Sequence, residues 1–371
     1  MILKNDTYEN FAKYIKETKS KIIVYGAGMI GQILAPYILN EYKLDDNVCY
    51  YVDIDEKKQR KQIQLNSKAV PVGTIDCLIR EKQKFVLLIT NSNFEPVVND
   101  LERVENLKQT VAYILPIMQL QNEQKAAEKS YKKSTKQLIP KKIHYCWFSR
   151  NPMPKHLEKC IDTWKQYCPD YEIIRWDENN YDITKYLYMK QAYEAKMWGF
   201  VPEIARLDIL YHHGGIYLDS DVEVIRNLDE LLYHSAFCGV EKWGSIDIGG
   251  GAGAEPFHPM IKAMLDYRKN IPFLYEDGSM NLDTCGCYET VPLIRQGMQI
   301  NDVTQCIDGM MVYSSEHFHP FDYMSGEATI TEKTYSIHHF NGGWLNDEAI
   351  AQRKKTKQHY NKILKIMDSN R

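Results

Sequence analysis

The chain has 371 residues, of which 44% are hydrophobic and 26% charged. This length exceeds the usual size of one compact core, so two domains are expected, and the composition excludes a disordered or fibrous protein. A formal net charge of −3 creates no field that would attract nucleic acid, and we expect no nucleic-acid partner. The nine cysteines lack zinc-ligand spacing and fit a reducing cytoplasm.

The first 17 residues contain no apolar stretch between a basic end and a cleavage site, as a signal peptide would. No segment approaches the roughly 18 continuous apolar residues of a membrane span. We therefore expect a cytoplasmic protein that is neither exported by this route nor threaded through a bilayer.

The first 120 residues alternate between apolar runs and stretches of helical periodicity. A glycine-rich turn, residues 26–31, separates the first run from a predicted helix that continues to Leu39. This pattern predicts a small, parallel, Rossmann-like α/β domain over residues 1–120. Its predicted strands cover residues 22–25, 48–52, 85–89 and 111–115.

The glycine turn satisfies the dinucleotide fingerprint with Gly26, Gly28 and Gly31, and Asp53 ends the next predicted strand. The glycines would let a pyrophosphate approach the backbone, and the aspartate could hold ribose hydroxyls. The domain resembles the small Rossmann-like amino-terminal domains of several sugar-modifying enzymes in bacterial surface-polysaccharide pathways. Two interpretations stay open: a nucleotide-binding domain, or a scaffold without chemistry of its own.

Residues 121–138 are polar and rich in Lys, Gln and Ala, so they are interpreted as a linker or solvated helix. From residue 139 onward, aromatic-rich strands and helices predict a second α/β domain that extends to residue 371. Its predicted strands cover residues 143–148, 171–176 and 215–218, and its predicted helices lie near 155–167, 183–197 and 202–213.

Two aspartates, Asp219 and Asp221, stand where a short apolar strand ends. Ligands of open α/β sheets bind at this carboxyl edge, and two carboxylates one residue apart can share a divalent ion with phosphate oxygens. The preceding helix carries Glu203 and Arg206 one turn apart, which adds an acid and a cation to the same region. The plainer interpretation is an acidic turn beside a surface ion pair.

The run ARLDILYHHGGIYLDSDVEVIRNLDELL, preceded by PKKIHYCWF and followed by EPFHP, resembles a family of DXD-motif glycosyltransferases. This family includes yeast initiating mannosyltransferases, vertebrate lactosylceramide galactosyltransferase and bacterial capsular-polysaccharide transferases. The glucosyltransferase domains of the clostridial cytotoxins are more distantly similar. The resemblance covers residues 139 to about 346, and it implies a GT-A fold, a nucleotide-sugar donor, Mn²⁺ or Mg²⁺, and retention of anomeric configuration.

The resemblance also implies roles for individual residues. Asp219 and Asp221 match the aspartates that bind the metal and the diphosphate, and Arg206 matches the arginine that reaches the donor. Trp147 matches the aromatic residue that stacks on the nucleobase. Glu203 stands where the family more often has aspartate, and it would accept hydrogen bonds from hydroxyls of the donor sugar.

In TYSIHHFNGGWL, the resemblance implies that His338 or His339 binds the metal and that Trp344 forms a lid over the donor. Which histidine acts stays open. A metal-bound histidine needs an acceptor for its other ring nitrogen. Asp247 and Glu289 are candidate carboxylates on the acceptor side.

The sequence therefore predicts a transferase that moves a hexose or N-acetylhexosamine from a UDP- or GDP-sugar to a saccharide or lipid-linked saccharide. Synthesis of capsular or other surface polysaccharide is the expected setting. The alternative function is an NAD-dependent dehydrogenase or epimerase of nucleotide sugars that uses the glycine turn. Tyr181 and Lys185 have the Tyr-x-x-x-Lys spacing of one dehydrogenase class.

After Trp344, a basic run at residues 352–357 leads into apolar residues at near-helical spacing, among them Tyr360 and Ile363. A basic helix with one apolar stripe can lie on the inner face of an anionic membrane. The same stripe can instead pack on the protein itself. Peripheral membrane contact is thus one of two interpretations of this tail.

Overall fold

The computed structural model describes residues 1–59, 61–121, 130–322, 327–340, 358 and 360–365. It divides the chain into two compact units. The first comprises Met1–Lys125, Met324–Gly326 and Ala351–Arg371, and the second comprises Ala126–Tyr323 and Glu327–Ile350.

Strands and helices alternate in the first unit, as the sequence pattern predicts. A π-helical turn at Ile30–Leu34 precedes the second helix. The elements in chain order are β1 Ile2–Lys4, α1 Tyr8–Thr18, β2 Lys21–Tyr25, α2 Ala35–Glu41, β3 Val48–Val52, β4 Gln62–Gln64, β5 Ala69–Gly73, α3 Ile75–Arg80, β6 Phe85–Ile89, α4 Phe94–Glu102, β7 Val111–Ile114 and α5 Leu115–Gln121.

These strands form one sheet in the order β1-β7-β6-β2-β3-β5-β4, in which only the β4–β5 pair is antiparallel. The inner order β5-β3-β2-β6-β7 is that of a doubly wound dinucleotide-binding sheet, with its switch point between β2 and β6. The glycine turn follows β2 and therefore stands at that point. The predicted Rossmann-like α/β class is confirmed.

The second unit is also α/β, with a larger share of strands. Its elements in chain order are β8 Lys142–Cys146, α6 Lys155–Tyr167, β9 Glu172–Trp176, α7 Leu187–Glu194, α8 Pro202–His213, β10 Gly215–Tyr217, β11 Val222–Val224, β12 Ala236–Val240, β13 Ile246–Ala254, α9 Pro259–Arg268, α10 Gly286–Arg295, β14 Gln305–Ile307, β15 Met310–Tyr313, α11 Ser315–Phe318, β16 Phe321–Asp322, β17 Glu327–Ala328 and β18 Ser336–His338.

The main sheet of this unit is mixed, in the order β14-β15-β12-β13-β10-β8-β9. β8 runs parallel to both β9 and β10, whereas β13 runs antiparallel to β10 and β12. A second, two-stranded sheet pairs β11 with β18. The three strands and the helix α8 that were predicted around the DXD motif lie within a few residues of their predicted bounds.

Two glycines turn the chain from α8 into β10. Gly214 and Gly215 have φ angles of +64° and +88°, a region that favours glycine. A Cβ at position 214 would lie 2.7 Å from the Pro256 ring, and one at 215 would lie 2.9 Å from the His144 Nε2 atom. This tight reversal lets β10 start directly after the helix and end just before Asp219.

Residues 360–365 are helical within the first unit. The ring of Tyr360 lies 6.3 Å from that of Phe94 on α4, Ile363 is buried, and the Lys362 Nζ atom is 3.3 Å from Glu95 Oε1. The apolar stripe predicted for the tail is therefore packed on protein. The basic run 352–357 lies outside the described residues. Among the described helices, none has the length and apolar character needed to cross a membrane.

Candidate active site

Two of the predicted donor-site residues of the second unit, Trp147 and Asp219, lie where β8 and β10 end. Because these strands are parallel, Trp147 after β8 and Asp219 after β10 share the carboxyl edge of the sheet. Trp147 is half-buried, and its indole N–H donates to the Asn151 carbonyl at 2.9 Å. Its ring remains a candidate platform for a nucleobase at this edge.

Asp219 is fixed on three sides. Its backbone N–H donates to the Gly249 carbonyl at 2.8 Å, and the Tyr217 hydroxyl donates to its Oδ1 atom at 2.9 Å. The Arg206 Nη1 atom lies 3.5 Å from Oδ2. Burial raises the pKa of the Asp219 carboxyl, and Arg206 opposes that shift. The carboxylate therefore has a defined direction and a cation beside it.

Asp221 faces His338, and His338 faces Asp247. The His338 Nε2 atom is 3.3 Å from Asp221 Oδ1, and its Nδ1 atom is 2.7 Å from Asp247 Oδ2. Burial alone would lower the pKa of His338, but these two carboxylates raise it well above its ordinary value. His338, one of the two histidines that the sequence left as candidate metal ligands, therefore lies between two carboxylates, and each of its ring nitrogens faces one of them.

His339 points elsewhere. Its Nε2 atom lies 2.9 Å from Glu223 Oε2, and its backbone N–H donates to the Asp221 carbonyl at 3.2 Å. Of the two adjacent histidines, only His338 directs its ring to the aspartates in this structure. Trp344, the predicted lid, lies outside the described residues.

Arg206 carries the least satisfied cation of this region. Its side chain is 4% exposed, and its Nε and Nη1 atoms are buried without a hydrogen-bond partner. Burying a guanidinium without partners is costly, which suits a group whose partner is a ligand anion.

Glu203, one turn before Arg206, has a different environment from the one the resemblance implies. Its Oε2 atom accepts hydrogen bonds from Arg268 Nη2 at 2.7 Å and from the Tyr188 hydroxyl at 2.8 Å. The Arg268 guanidinium is sandwiched between the rings of Tyr188 and Tyr288, 3.8 and 3.9 Å from their centroids. The structure therefore places Glu203 in a buried ion pair that joins α8 to α9, and a contact to the donor sugar stays a prediction.

Two further polar groups lie near this cluster. Burial raises the pKa of Glu289 to about 8; its Oε2 atom accepts the Ile248 N–H at 3.2 Å, and its Oε1 atom is buried without a partner. His319 is buried with both ring nitrogens unpartnered, and burial lowers its pKa to about 4. The sequence did not single out His319, because nothing in the run HFHP distinguishes its two histidines.

The oxygen and nitrogen atoms of Asp219, Asp221 and His338 lie within 4.8 Å of one another and could hold one metal ion. Two carboxylates and an imidazole suit Mn²⁺, and the two carboxylates with water would suit Mg²⁺. Asp247, His319 and His338 form a second such group. The residues present therefore fit the divalent ion that the DXD motif implies.

The glycine turn of the first unit is held by hydrogen bonds and close backbone contacts within that unit. Asp53 accepts the Ala27 N–H on Oδ2 at 2.8 Å and the Asp55 N–H on Oδ1 at 2.9 Å. A Cβ at position 31 would overlap the Gly26 carbonyl, so this glycine is needed for the turn itself. Gly28 has no such crowding, since the nearest atom to a Cβ there is the Lys58 Nζ at 3.8 Å. The fingerprint residues are brought together, but one oxygen of Asp53 already bonds to the glycine turn and the other to the backbone of Asp55.

Tyr181 and Lys185, the pair with dehydrogenase-like spacing, both bond to Asp208 on α8. The Tyr181 hydroxyl and the Lys185 Nζ atom each lie 2.7 Å from Asp208 Oδ2. Their spacing is thus explained by an ion-paired contact that holds the segment before α7 on α8. It gives no support to the dehydrogenase alternative.

Residues 154–238 match the family model described as "Glycosyltransferase sugar-binding region containing DXD motif". This segment includes Arg206, Asp219 and Asp221. The resemblance inferred from the sequence is confirmed over this segment.

Among curated relatives, the chain is similar to "Mannosyl phosphorylinositol ceramide synthase CSH1" of Saccharomyces cerevisiae, with 34% identity over 169 residues that cover 40% of this chain and 42% of the relative. It is also similar to "Inositol phosphoceramide mannosyltransferase 3" of Schizosaccharomyces pombe, with 35% identity over 27% of this chain and 29% of the relative. The chain thus spans less than half the length of these relatives. A solved structure, "PaToxG Glycosyltransferase", matches with 18% identity and a TM-score of 0.34, over 43% of this chain and 69% of that one.

Proposed function

We propose that the second unit is a metal-dependent, retaining glycosyltransferase that moves a hexose or N-acetylhexosamine from a UDP- or GDP-sugar to a saccharide acceptor. The observation that carries the proposal is the convergence of Asp219, Asp221 and His338 beside Arg206, whose Nε and Nη1 atoms are buried without hydrogen-bond partners. Such a set can offset the charge of a nucleoside diphosphate as it leaves.

Asp219, Asp221 and His338 would hold the divalent ion. When bound, the ion supplies Lewis-acid stabilisation of the charge that develops on the departing diphosphate. Arg206, beside Asp219, binds and orients a donor oxygen. Trp147 stacks on the nucleobase at the end of β8. The protein contributes position and charge rather than a covalent nucleophile.

Retention follows from the family resemblance. The acceptor hydroxyl attacks the anomeric carbon on the face from which the diphosphate leaves. A bond forms between the acceptor oxygen and that carbon while the bond to the phosphate oxygen breaks, and the proton passes to the departing phosphate. No basic side chain is required in this scheme, so the carboxylates of the site are free to serve the metal.

For the acceptor, we propose only a chemical class. The names of these relatives describe mannose transfer to inositol phosphoceramide. We extend this only to a saccharide or lipid-linked saccharide, with capsular or other surface polysaccharide synthesis at the cytoplasmic face of a membrane as the setting. Since the stripe of Tyr360 and Ile363 packs on protein, contact with that membrane would depend on basic charge and not on the stripe.

The test is a screen for hydrolysis of UDP- and GDP-sugars, including GDP-mannose, with and without Mn²⁺. The expected result is Mn²⁺-dependent release of UDP or GDP from one donor, and its loss in Asp221→Asn. An exposed aspartate on α6, Asp162, gives the matched control Asp162→Asn, which should hydrolyse the donor as the native chain does. Normal turnover by Asp221→Asn would contradict the assignment.

The first unit is proposed either to bind a nucleotide at Gly26, Gly28, Gly31 and Asp53 or to act as a scaffold. A thermal-shift comparison separates these from the dehydrogenase alternative. Stabilisation by NAD(H) but not by a sugar nucleotide with Mn²⁺ would favour the dehydrogenase. Unchanged turnover after deletion of residues 1–130 would favour the scaffold.

A further inference from the structure

Asp247 lies on β13 and is 3% exposed. Its two oxygens face different groups. Oδ2 is 2.7 Å from His338 Nδ1, whereas Oδ1 accepts the Gly249 N–H at 2.8 Å and lies 3.9 Å from Arg206 Nη1. One buried carboxylate therefore touches both the histidine and the arginine of the candidate site.

The contact with His338 determines which way that ring faces. A histidine that donates one ring N–H to a carboxylate has its tautomer and orientation fixed, and its other nitrogen becomes the one that can bind a metal. Here the other nitrogen, Nε2, is the one beside Asp221. Without Asp247, the His338 ring would lose the partner that directs Nε2 toward the DXD motif.

The contact with Gly249 holds Asp247 in place. Gly249 donates its N–H to Asp247 and accepts the N–H of Asp219, so the two carboxylates are tied to one residue of β13. A Cβ at position 249 would overlap Asp219 Oδ2 and lie 2.6 Å from Arg206 Nη1. At position 249, β13 therefore approaches Asp219 and Arg206 with its backbone alone. There is no room at this position for a side chain that could substitute for Asp247.

We propose that Asp247 is a positioning residue that orients His338 toward the ion of the DXD motif. This inference deepens the proposed function and rests on it for the identity of the ion. It reassigns Asp247 from the acceptor side, where the sequence suggested it, to the donor side of the site. A second possibility is that Asp247 binds an ion directly together with His319, whose Nδ1 atom is 3.8 Å away; that arrangement is an outcome of the test.

The experiment titrates the full-length protein with Mn²⁺ alone and follows free Mn²⁺ by electron paramagnetic resonance. Asp247→Asn should raise the Kd for Mn²⁺ by about 10- to 100-fold, the usual effect of losing an outer partner of a metal ligand, with the number of bound ions unchanged. His338→Gln should raise it by a similar factor. The double variant should bind Mn²⁺ no more weakly than His338→Gln, because Asp247 acts through His338.

Asp208→Asn is the matched control. Asp208 is a buried aspartate on the same helix as Arg206, and its partners are Tyr181, Tyr186 and Lys185. This change should lower the melting temperature and leave the Kd for Mn²⁺ within about twofold, well below the effect expected at an outer metal partner. If Asp247→Asn does not fold, Asp247→Ser provides a smaller substitution with the same expected loss.

Three results would overturn the inference. The first is a Kd for Mn²⁺ in Asp247→Asn equal to that of the native chain. The second is additive effects of the two substitutions on that Kd in the double variant. The third is the loss of one whole bound ion in both Asp247→Asn and His319→Gln, which would make Asp247 a direct ligand. Failure of the proposed function looks different. In that case the native chain binds Mn²⁺ and responds to Asp247→Asn but releases no nucleotide from any sugar donor.

Discussion

Each unit has an acidic residue where a strand of its sheet ends. The two environments differ in whether the buried polar atoms around that residue have hydrogen-bond partners without a ligand. In the first unit, Asp53 accepts the Ala27 N–H of the glycine turn on one oxygen and the Asp55 N–H on the other. In the second, Asp219 adjoins Arg206, whose Nε and Nη1 atoms are buried without hydrogen-bond partners. Because buried polar groups are normally paired, the second arrangement is the one that a ligand would complete.

This comparison shows how two motifs that are equally plausible ligand sites in sequence can be ranked from their folded environments. The glycine fingerprint has a structural use, since Gly31 permits the turn and Asp53 stabilises it. In the DXD motif, the Asp219 carboxylate adjoins Arg206 and the Asp221 carboxylate faces His338. A motif whose acids adjoin a buried cation and a histidine is a better candidate for chemistry than one whose acid bonds to backbone N–H groups.

The largest effect is expected from a pair of matched substitutions, one in each unit. Asp219→Asn should lower Mn²⁺-dependent donor hydrolysis at least about 100-fold, since several kcal/mol of charge stabilisation depend on the ion. Asp53→Asn should leave hydrolysis unchanged and lower the melting temperature, because one acceptor of the turn is weakened. Initial rates and thermal melts of both variants are the measurements, and the opposite pattern would reverse the ranking of the two sites.

Glu203→Gln tests whether this acid serves the fold or the donor. Removing its charge leaves Arg268 buried without its counter-ion, which should cost about 3 kcal/mol of stability, or roughly 6–12 °C in melting temperature. The KM for the donor should change little in the folded variant. A large change in donor preference with an unchanged melting temperature would instead support the sugar contact that the family resemblance implies.

The two adjacent histidines provide a sharper comparison within the second unit. His338→Gln should weaken donor-dependent Mn²⁺ binding by at least about 10-fold, whereas His339→Gln should change it by no more than about 2-fold. The reason is that His338 faces Asp221, while His339 is bonded to Glu223. Isothermal titration with UDP or GDP present measures both. A stronger loss in His339→Gln would identify it as the ligand.

The smallest expected effect concerns Glu289 and pH. Its pKa is raised by burial from 4.5 to about 8, so the folded protein holds a proton there that the unfolded chain has lost. Stability should therefore fall as pH rises from about 4.5 to 8. Glu289→Gln removes this dependence and should melt above the native chain at pH 9, with a smaller difference at pH 5. If the melting temperatures of Glu289→Gln and of the native chain changed with pH in the same way, that result would contradict this prediction.

The sequence predicted the elements that depend on local pattern. The apolar run of β2 and the short strand β10 were placed to within one residue, because buried strands and the glycines that bound them are visible in a few neighbouring positions. The position of Asp219 at a strand end follows from the same pattern.

The partners of the site residues could not be predicted, because they are distant in the chain. Asp247 and His338 are 91 positions apart, and Arg268 and Glu203 are 65 apart. No local rule relates such pairs; they meet only because β13 and β18 are neighbours and α8 packs on α9. The choice between His338 and His339 likewise depended on the direction in which each ring points at the end of β18.

The most direct test of the account is a crystal structure of the full chain with Mn²⁺ and its sugar nucleotide, with the ion located by anomalous scattering. We expect one Mn²⁺ bound by Asp219, Asp221 and His338, with the diphosphate in contact with both the ion and Arg206. A nucleotide seated on the glycine turn of the first unit, with no ion at the DXD motif, would contradict it.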